Sequence, residues 1–385
     1  MNGTRSRALL ALVALLVITV APAALAEGHD RGSGWFPTRK VSHTAAPSQT
    51  PVVAATADHV HVAWRDGTGG TSQITYRRSV DYAATWQQAV WLTSTAATSR
   101  RPAIAAEDTT VHLVWDESAA ASSVWYRRSP NGGYSWRDAR RLSPARHDAT
   151  RADVAVAGDR VHVVWEDGAG GTANVWYRRS INGGVNWSQP VRLTHDVGHA
   201  RAPAIAAYGD VVHLVWSDTR AGGNEVYYRR SDDGGATWST PARRLSFKPG
   251  ASWEPDVAVR CGSVHVVWSD EAAGWDVFHK RSLDAGLTWD PARNLSRSAG
   301  AARAPALACS STGLDVVWSD DASGAEQIHY RRSVDQGAVW GPNTMVTSTA
   351  GASLLPAIAM WQWSTHMVWQ DDVTGQPEIY HKRRG

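Results

Sequence analysis

The chain of 385 residues is poor in several residue types, and these scarcities exclude classes of protein. It has 4 methionines and 3 phenylalanines against 21 tryptophans and 33 glycines. After residue 26 it has no amphipathic stripe of Leu, Met and Ala, and no apolar run of 18 residues. These features argue against a helical protein and against a later membrane-spanning helix. At 43% apolar and 19% charged residues, the composition is also too apolar for disorder.

An excess of charge of one sign is lacking as well. The sequence has 39 Lys and Arg against 36 Asp and Glu. Arg5 and Arg7 lie in a segment that we expect to be removed, which leaves 37 basic residues against 36 acidic ones. A balanced chain has no strong field to attract a polyanion, so we expect neither nucleic acid nor a membrane surface as a partner.

The first 26 residues have the organisation of a secretory signal peptide. Arg5 and Arg7 precede an apolar run at 8–20, and Ala24, Leu25 and Ala26 form a small-residue cleavage site. The alternative is a retained membrane anchor, but the short run favours cleavage. We therefore predict a signal peptide at 1–26 and a secreted protein, extracellular or periplasmic, in a compartment that permits disulfides.

A repeat of about 51 residues organises the rest of the chain. A valine-rich segment ending in Trp recurs with gaps of 50 to 52 residues, and its tryptophans are Trp64, Trp115, Trp165, Trp216, Trp268, Trp318 and Trp369. A short apolar run such as PAIAA at 203–207 precedes it, and a second β-rich run such as VYYRRS at 226–231 follows. A Gly-rich turn and a polar segment complete the unit. Four short strands in a unit of this length are typical of a β-propeller blade.

The repeat therefore predicts an all-β fold, a single seven-bladed β-propeller domain over residues 27–385. Each blade has four antiparallel strands, which we name A to D from the central channel outwards. The last copy ends after strand C at 378–385, and an orphan strand D lies at 34–42, where Trp35 stands 51 residues before Trp86. We expect this N-terminal strand to complete blade seven and close the ring of a monomer, which leaves no exposed inner edge.

The turn between strands C and D carries the motif Ser-x-Asp-x-Gly-x-Thr-Trp. It is complete in blades four and five and partial in four others, where Ala83 replaces Gly, Asn131 and Asn182 replace Asp, and Val339 replaces Thr. The Asp or Asn side chain accepts backbone hydrogen bonds, Gly permits a positive φ, and Trp covers the turn. In this motif the chain resembles the Asp-box (BNR-repeat) propellers, the sialidase-like group. The resemblance implies that the Asp boxes lie on the face opposite any active site.

On that opposite face, strand A begins with Arg-x-Pro in blades two, four and six, at Arg100, Arg201 and Arg303. These triplets resemble the Arg-Ile-Pro motif of sialidases, in which three arginines hold the carboxylate of sialic acid. Guanidinium groups near the channel can converge on one anion through paired hydrogen bonds. The alternative is that each arginine caps a loop or pairs with a neighbouring acid.

Other candidates lie on the same face. Blade four pairs Asp218 with Arg220, and Trp253 and Trp275 in blade five offer flat surfaces for a sugar ring. Sialidase-type catalysis would need a Tyr nucleophile with a Glu, and a separate Asp as acid, and no tyrosine is assigned to this face. The catalytic candidates are Asp218 and Asp320 as acids, with Glu225 and Glu326 as bases. A carboxylate pair for ordinary glycoside hydrolysis is equally unspecific among so many acids.

Histidines and arginines also recur with the repeat. The strand-B histidines are His61, His112, His162, His213, His265 and His366. Neighbouring copies would lie about 9 Å apart at that radius, too far to share a metal ion, so we expect no metal or cofactor and interpret them as interblade packing. The Arg-Arg pairs of strand C are interpreted as structural, packed over Trp rings, and the alternative is a basic belt for polyanions. Cys261 and Cys309 fall in A–B connections of adjacent blades, where we expect a disulfide.

Two functional hypotheses follow. The first is a propeller that binds a glycan or an extracellular protein through the face opposite the Asp boxes. The second is an exo-acting glycoside hydrolase of sialidase type, in which an arginine cluster holds a sugar carboxylate. The near-uniform blades and the lack of an identifiable nucleophile favour binding.

Overall fold

The computed structural model describes residues 34–195, 198–260, 262–272 and 274–385. The predicted signal peptide and Cys261 lie outside these ranges. The described residues form 28 β-strands in seven separate four-stranded sheets, and every strand pairing is antiparallel. The predicted all-β fold with seven blades is therefore confirmed. A search of the described residues finds no helix long and apolar enough to cross a membrane.

Each blade is built from three longer strands and one very short outer strand. The innermost strands, A, are β2 Ser48–Thr56, β6 Thr98–Glu107, β10 Ala149–Ala157, β14 Ala200–Tyr208, β18 Ser252–Arg260, β22 Ala302–Ser310 and β26 Ser353–Trp361. The B strands are β3 His59–Asp66, β7 Thr110–Ser118, β11 Arg160–Asp167, β15 Val211–Asp218, β19 Ser263–Asp270, β23 Gly313–Asp320 and β27 Ser364–Asp371. The C strands are β4 Gln73–Ser79, β8 Ser123–Ser129, β12 Asn174–Ser180, β16 Glu225–Ser231, β20 Asp276–Ser282, β24 Gln327–Ser333 and β28 Glu378–Arg384.

The outermost strands, D, have only two paired residues each. They are β1 Arg39–Lys40, β5 Val90–Trp91, β9 Arg140–Arg141, β13 Val191–Arg192, β17 Arg243–Arg244, β21 Arg293–Asn294 and β25 Thr344–Met345. The sequence pattern predicts longer D strands. Short, charged outer edges offer little backbone for edge-to-edge association with another chain.

The ring closes through the N-terminal strand, as the repeat predicts. β1 pairs with β28, so the last sheet has the order β1-β28-β27-β26. Trp35 forms an additional bridge with Arg384, and the amide of Phe36 donates to the carbonyl of Arg383 at 2.9 Å. Lys40 adds an ion pair with the buried Glu378 at 2.9 Å. The first and last strands of the described chain thus share one blade.

Neighbouring blades share hydrophobic cores. The central residues of strand B are buried, and its Trp is at most 1% exposed in every blade. One core joins Val164, Val175 and Tyr177 of blade three to Leu214 and Trp216 of blade four, and similar clusters occur at the other interfaces. Because both faces of a blade are covered, strand B is a continuous apolar run rather than an alternating one.

The Asp-box turns lock each blade to the one before it. In the blade three to four interface, the Tyr177 hydroxyl is 2.7 Å from Nδ1 of His162, and the same Tyr lies edge-on to Trp238 with ring centroids 5.1 Å apart. A Cβ on Gly235 would come within 1.8 Å of the Tyr177 hydroxyl oxygen, so this position tolerates no side chain. The strand-B histidine therefore bonds within its own blade, and its tyrosine partner makes the interblade contact.

The paired arginines of strand C are structural, but their contacts differ from the predicted stacking on Trp. In blade three, Arg178 donates from Nη1 to the carbonyl of Leu142 in the preceding blade at 2.9 Å. Its neighbour Arg179 donates to the carbonyl of Gly234 in the next Asp box at 2.6 Å. Equivalent bonds recur around the ring, so each pair connects three consecutive blades.

Candidate functional site at the channel mouth

Every innermost strand has a β-bulge near its first residues, and the sequence analysis did not foresee it. The residue at each bulge has a positive φ of 46° to 51°, and these residues are Thr50, Arg101, Arg151, Ala202, Glu254, Ala304 and Leu355. None is a glycine, and a left-handed conformation costs such a residue about 1–2 kcal/mol. Strain of this kind concentrates at functional sites. The only sequence signal is the residue that follows the bulge, which is Pro in six blades and Ala152 in blade three.

The bulges place two residues from each blade around one end of the channel. We define the channel-mouth ring as the seven bulge residues and the residue before each, which are Gln49, Arg100, Thr150, Arg201, Trp253, Arg303 and Leu354. This end lies opposite the Asp boxes, because strands B to C and D to A connect here. The ring contains five arginines and one carboxylate, Glu254. The three arginines predicted as anion ligands are therefore at equivalent positions of one ring.

The three arginines nevertheless have different surroundings. Arg100 donates from Nε to the buried carboxylate of Asp116 at 3.2 Å, and Arg101 approaches the same oxygen at 3.4 Å. Arg201 is exposed and makes no ion pair or side-chain hydrogen bond with any described residue. The Arg303 guanidinium lies 4.6 Å from the centre of the Trp275 ring. No contact joins the three side chains, so one arginine is paired and two are available.

The strand-B residues opposite the ring contribute one arginine and two carboxylates, so the surplus of positive charge falls from four to three. Arg65 lies near Arg100 and Arg101, and burial together with these two charges lowers its pKa. The acids at this level are Asp116 and Glu166, and Glu166 pairs with Arg151 at 3.2 Å. Six arginines thus face three carboxylates at the channel mouth. Such a surplus of cationic groups favours an anionic ligand.

The ring also differs between its two halves. In blades two, three and seven, Asp116, Glu166 and Gln370 accept a hydrogen bond from the bulge amide of the next blade, at 3.4, 3.1 and 3.1 Å. Blades four to six carry a serine at this position. The hydroxyls of these buried serines have no hydrogen-bond partner among the described residues, and they are Ser217, Ser269 and Ser319. The half of the ring with Arg201, Trp253 and Arg303 therefore retains unused polar groups.

The aromatic candidates of blade five lie beside this half. Trp253 belongs to the ring, between Arg201 and Arg303 in blade order, and is half-buried. Trp275 lies under the Arg303 guanidinium. Glu326 is near the same arginine, and burial followed by repulsion from Asp321 raises its pKa. This sector offers cations and flat apolar surfaces side by side.

The carboxylates of Asp218 and Asp320 support the B–C turns. Asp218 accepts hydrogen bonds from the amide of Arg220 and from Nε1 of Trp216, both at 2.9 Å, and Asp320 has the same arrangement with Ala322 and Trp318. Both side chains are buried. An Asp occupies this point of strand B in four other blades, and blade two has Glu117 there. The repeated role accounts for their presence without catalysis.

The remaining candidates of blade four are also held within the blade. Glu225 is buried and bonded to Arg244 and Ser246. The Arg220 guanidinium pairs with Asp218 and lies 4.5 Å over the ring of Tyr227. Each of these groups stabilises the outer part of the blade rather than projecting into the channel.

Two channel-lining aspartates were missed in the sequence. Asp153 and Asp256 occupy positions in strand A that hold Val or Ala in the other blades. Asp153 accepts the amide of Ile205 at 2.8 Å, and Asp256 accepts that of Leu307 at 3.0 Å, in each case from the next blade. Burial raises the pKa of Asp153 to about 6, and burial together with the charge of Asp153 raises that of Asp256 to about 7. The sequence did contain a signal for these two residues, because each is a carboxylate at a repeat position that is apolar in the other blades.

Two further predictions concern a metal ion and a disulfide. The described ranges contain no cluster of three or more His, Cys, Asp or Glu side chains suited to a metal ion. The pairing of Cys261 with Cys309 involves a residue outside those ranges and stays a prediction.

Comparison with solved structures identifies the fold. No protein-family model matches the chain, and no curated protein matches it. An ulvan lyase, a polysaccharide lyase bound to GlcA(1-4)Rha3S, is 12% identical with a TM-score of 0.63, over 89% of this chain and 95% of the lyase. The NanB sialidase from Streptococcus pneumoniae is 13% identical with a TM-score of 0.52, over 90% and 70%.

A Hadza microbial sialidase is similar to the same degree, with 14% identity and a TM-score of 0.52, over 81% of this chain and 73% of the sialidase. At these identities the likeness concerns the fold. Together with the seven blades and the interlocked turns, it shows that the chain has the sialidase-like β-propeller fold.

Proposed function

We propose that the protein is an exported lectin-like propeller that binds acidic glycans at the channel-mouth ring, in the sector formed by blades four to six. The observation that carries this proposal is the surplus of arginine at one structural position, with Arg201 exposed and without an ion-pair partner among the residues described. Carboxylate and sulfate groups accept paired hydrogen bonds from guanidinium groups. Trp253 and Trp275 supply surfaces on which a sugar ring stacks.

The structural neighbours support a carbohydrate ligand. Two of them are sialidases, and the ulvan lyase is bound to a unit that contains GlcA and Rha3S. These sugars carry carboxylate or sulfate groups, which suit a ring in which arginines outnumber carboxylates. The low identities mean that the chemistry of the sector itself, rather than kinship, must identify the ligand.

Binding rather than hydrolysis is the function that the local geometry favours. In blades one to four, the strand-C tyrosine that faces the next blade is buried and hydrogen-bonded to the strand-B histidine, and burial raises its pKa. These tyrosines form the Asp-box interface and do not reach the channel mouth. Asp218, Asp320 and Glu225 are engaged in turns and strands. Among these four tyrosines, therefore, none forms a sialidase-type nucleophile with a carboxylate partner at the channel mouth.

A glycan array with the mature chain tests the proposal. We expect retention of uronate-containing, sulfated or sialylated glycans, and none of their neutral counterparts. Arg201→Ala should lower the affinity at least tenfold, since it removes the unpaired cation. Arg260→Ala is the matched control, because Arg260 is also an exposed arginine of strand A but lies at the opposite end of the channel.

Two results would contradict the proposal. Failure to retain any acidic glycan would remove the binding function. Turnover of a fluorogenic sialoside that disappears in Arg201→Ala would instead establish the hydrolase hypothesis for the same sector.

A further inference from the structure

A second concave site lies away from the channel, at the Asp-box side of the interface between blades five and six. It is a cavity of about 410 Å³. Its walls include His279, Arg281 and Arg293 from blade five and Gly337 from the Asp box of blade six. The volume is within the range of about 300–1,000 Å³ that small-molecule sites occupy.

The repeat varies at this interface in the pair of residues that joins strand C to the next Asp box. At four interfaces a Tyr of strand C fills the space against a Gly in the next Asp box, and a Cβ on that Gly would lie 1.8–1.9 Å from the hydroxyl oxygen. Blade seven has the shorter His381 instead, and the next blade fills the space with Ala83, which is 1% exposed. Blade five also has a shorter His279, but the facing residue is still Gly337. At this interface a Cβ on Gly337 would lie 2.8 Å from Cε1 of His279, so the contact is looser than at the Tyr interfaces but still excludes a side chain.

The walls of this cavity are strongly basic. Arg281 is fixed by Asp290, at 2.7 Å from Nε, and by the carbonyl of Gln336, at 2.8 Å from Nη1. Arg293 donates from Nη1 to the carbonyl of Ala338 at 2.6 Å, which leaves its other N–H groups available.

Arg297 also lines the cavity and makes no ion pair or side-chain hydrogen bond with the described residues. The cavity wall therefore has three guanidinium groups, from Arg281, Arg293 and Arg297, and one carboxylate, from Asp290. His279 adds no charge, because burial and the nearby arginines lower its pKa well below the usual value.

We propose that this cavity binds a compact oxyanion, a phosphate or sulfate group, either as the free ion or carried by a single sugar. Fixed guanidinium groups present parallel N–H donors to tetrahedral oxyanions. A cation is disfavoured by the three arginines, and an apolar ligand by the polar walls. This site is separate from the channel-mouth ring, and its test does not depend on the proposed function.

Isothermal titration of the folded protein with inorganic phosphate and with glucose 6-phosphate, at constant ionic strength, tests the proposal. We expect saturable binding of at least one of them, and the tighter ligand distinguishes a free ion from a sugar-borne group. R297Q should weaken binding at least tenfold. H279Y should do the same by narrowing the cavity beside Gly337, since His265 can accept the Tyr hydroxyl as its equivalents do in blades one to four.

The control variant is R243Q. Arg243 makes the same interblade bond, to the carbonyl of Leu287, but at an interface that Tyr228 fills. It should bind phosphate like the wild type. Absence of saturable binding to the wild type, binding that survives R297Q, or binding that survives in a folded H279Y would each overturn the proposal. If H279Y fails to fold, R297Q alone decides.

Discussion

At the scale of single residues, the size of a strand-C side chain determines what its neighbour in the next blade can be. A Tyr requires Gly in the following Asp box, whereas His381 is opposite Ala83. The departure of Ala83 from the motif is thus a compensation across a blade interface. The motif itself was readable from sequence, but this pairing was not, since the two residues are about 300 positions apart in the chain.

The contact between Tyr177 and Gly235 can be tested by adding a Cβ at Gly235. Gly235→Ala should destabilise the protein by more than about 2 kcal/mol, because the new Cβ meets the Tyr177 hydroxyl in addition to the cost of a positive φ. Gly222→Ala is the control, since Gly222 also has a positive φ, of 95°, but nothing within 4 Å of its Cβ position. It should cost only about 1–2 kcal/mol. Denaturant unfolding monitored by Trp fluorescence measures both.

A double variant separates the clash from other causes. Tyr177→His combined with Gly235→Ala reproduces the natural pair of His381 and Ala83, so it should recover part of the loss. Equal destabilisation by Gly235→Ala and Gly222→Ala, with no recovery in the double variant, would show that the Tyr contact contributes nothing.

At the scale of strands, repeat periodicity predicted much, and local backbone irregularity escaped it. The 51-residue spacing from Trp35 to Trp86 was sufficient to assign the orphan N-terminal strand to blade seven. The bulges at the channel mouth could not be predicted from the residue that has the positive φ, because it is Thr, Arg, Ala, Glu or Leu. Only the proline that follows it in most blades marks the position in the sequence. The pairing of Arg100 with Asp116 depends on this geometry and was therefore open.

Ring closure depends on a strand that is covalently remote from its partner, and Trp35 anchors it. Trp35 lies edge-on to Tyr330 of blade six, with ring centroids 5.0 Å apart. Trp35→Ala should destabilise the protein by about 2 kcal/mol and accelerate amide hydrogen exchange in 378–384, because this edge then frays. Trp363→Ala, at a residue that is 72% exposed, is the control and should change stability by less than about 0.5 kcal/mol. Unchanged exchange in 378–384 would show that Trp35 does not hold the ring.

At the scale of the whole molecule, seven similar blades share one scaffold and differ where ligands can bind. Composition and repeat predicted the ring, its blade number and the face that carries the arginines. They did not distinguish the arginine that an acid neutralises from the one left exposed, Arg201. The basic cavity beside His279 was equally hidden, since Arg281, Arg293 and Arg297 come together there without forming a motif.

The repeated buried histidines make the stability of the whole ring dependent on pH. Burial lowers the pKa of His61, His213 and His366 to about 3, and that of His112, His162 and His265 to about 4. A lowered folded pKa means that the unfolded chain binds more protons between pH 6.5 and 4. Stability is therefore complete above pH 6.5 and is lost as the pH falls through that window. Each histidine contributes up to about 1.4 kcal/mol per pH unit.

We expect the melting temperature to be nearly constant from pH 8 to 7 and to fall steeply from pH 6 to 4.5. The channel aspartates act in the opposite direction, because their raised folded pKa lets the native state bind protons above the unfolded value of about 3.8. Two such groups offset only part of the effect of six histidines. His162→Gln removes one titrating group while keeping a polar side chain beside Tyr177, so its melting temperature should fall less steeply with acid. A flat profile down to pH 5, or a slope unchanged in His162→Gln, would show that these histidines take up protons in the folded ring as readily as in the unfolded chain.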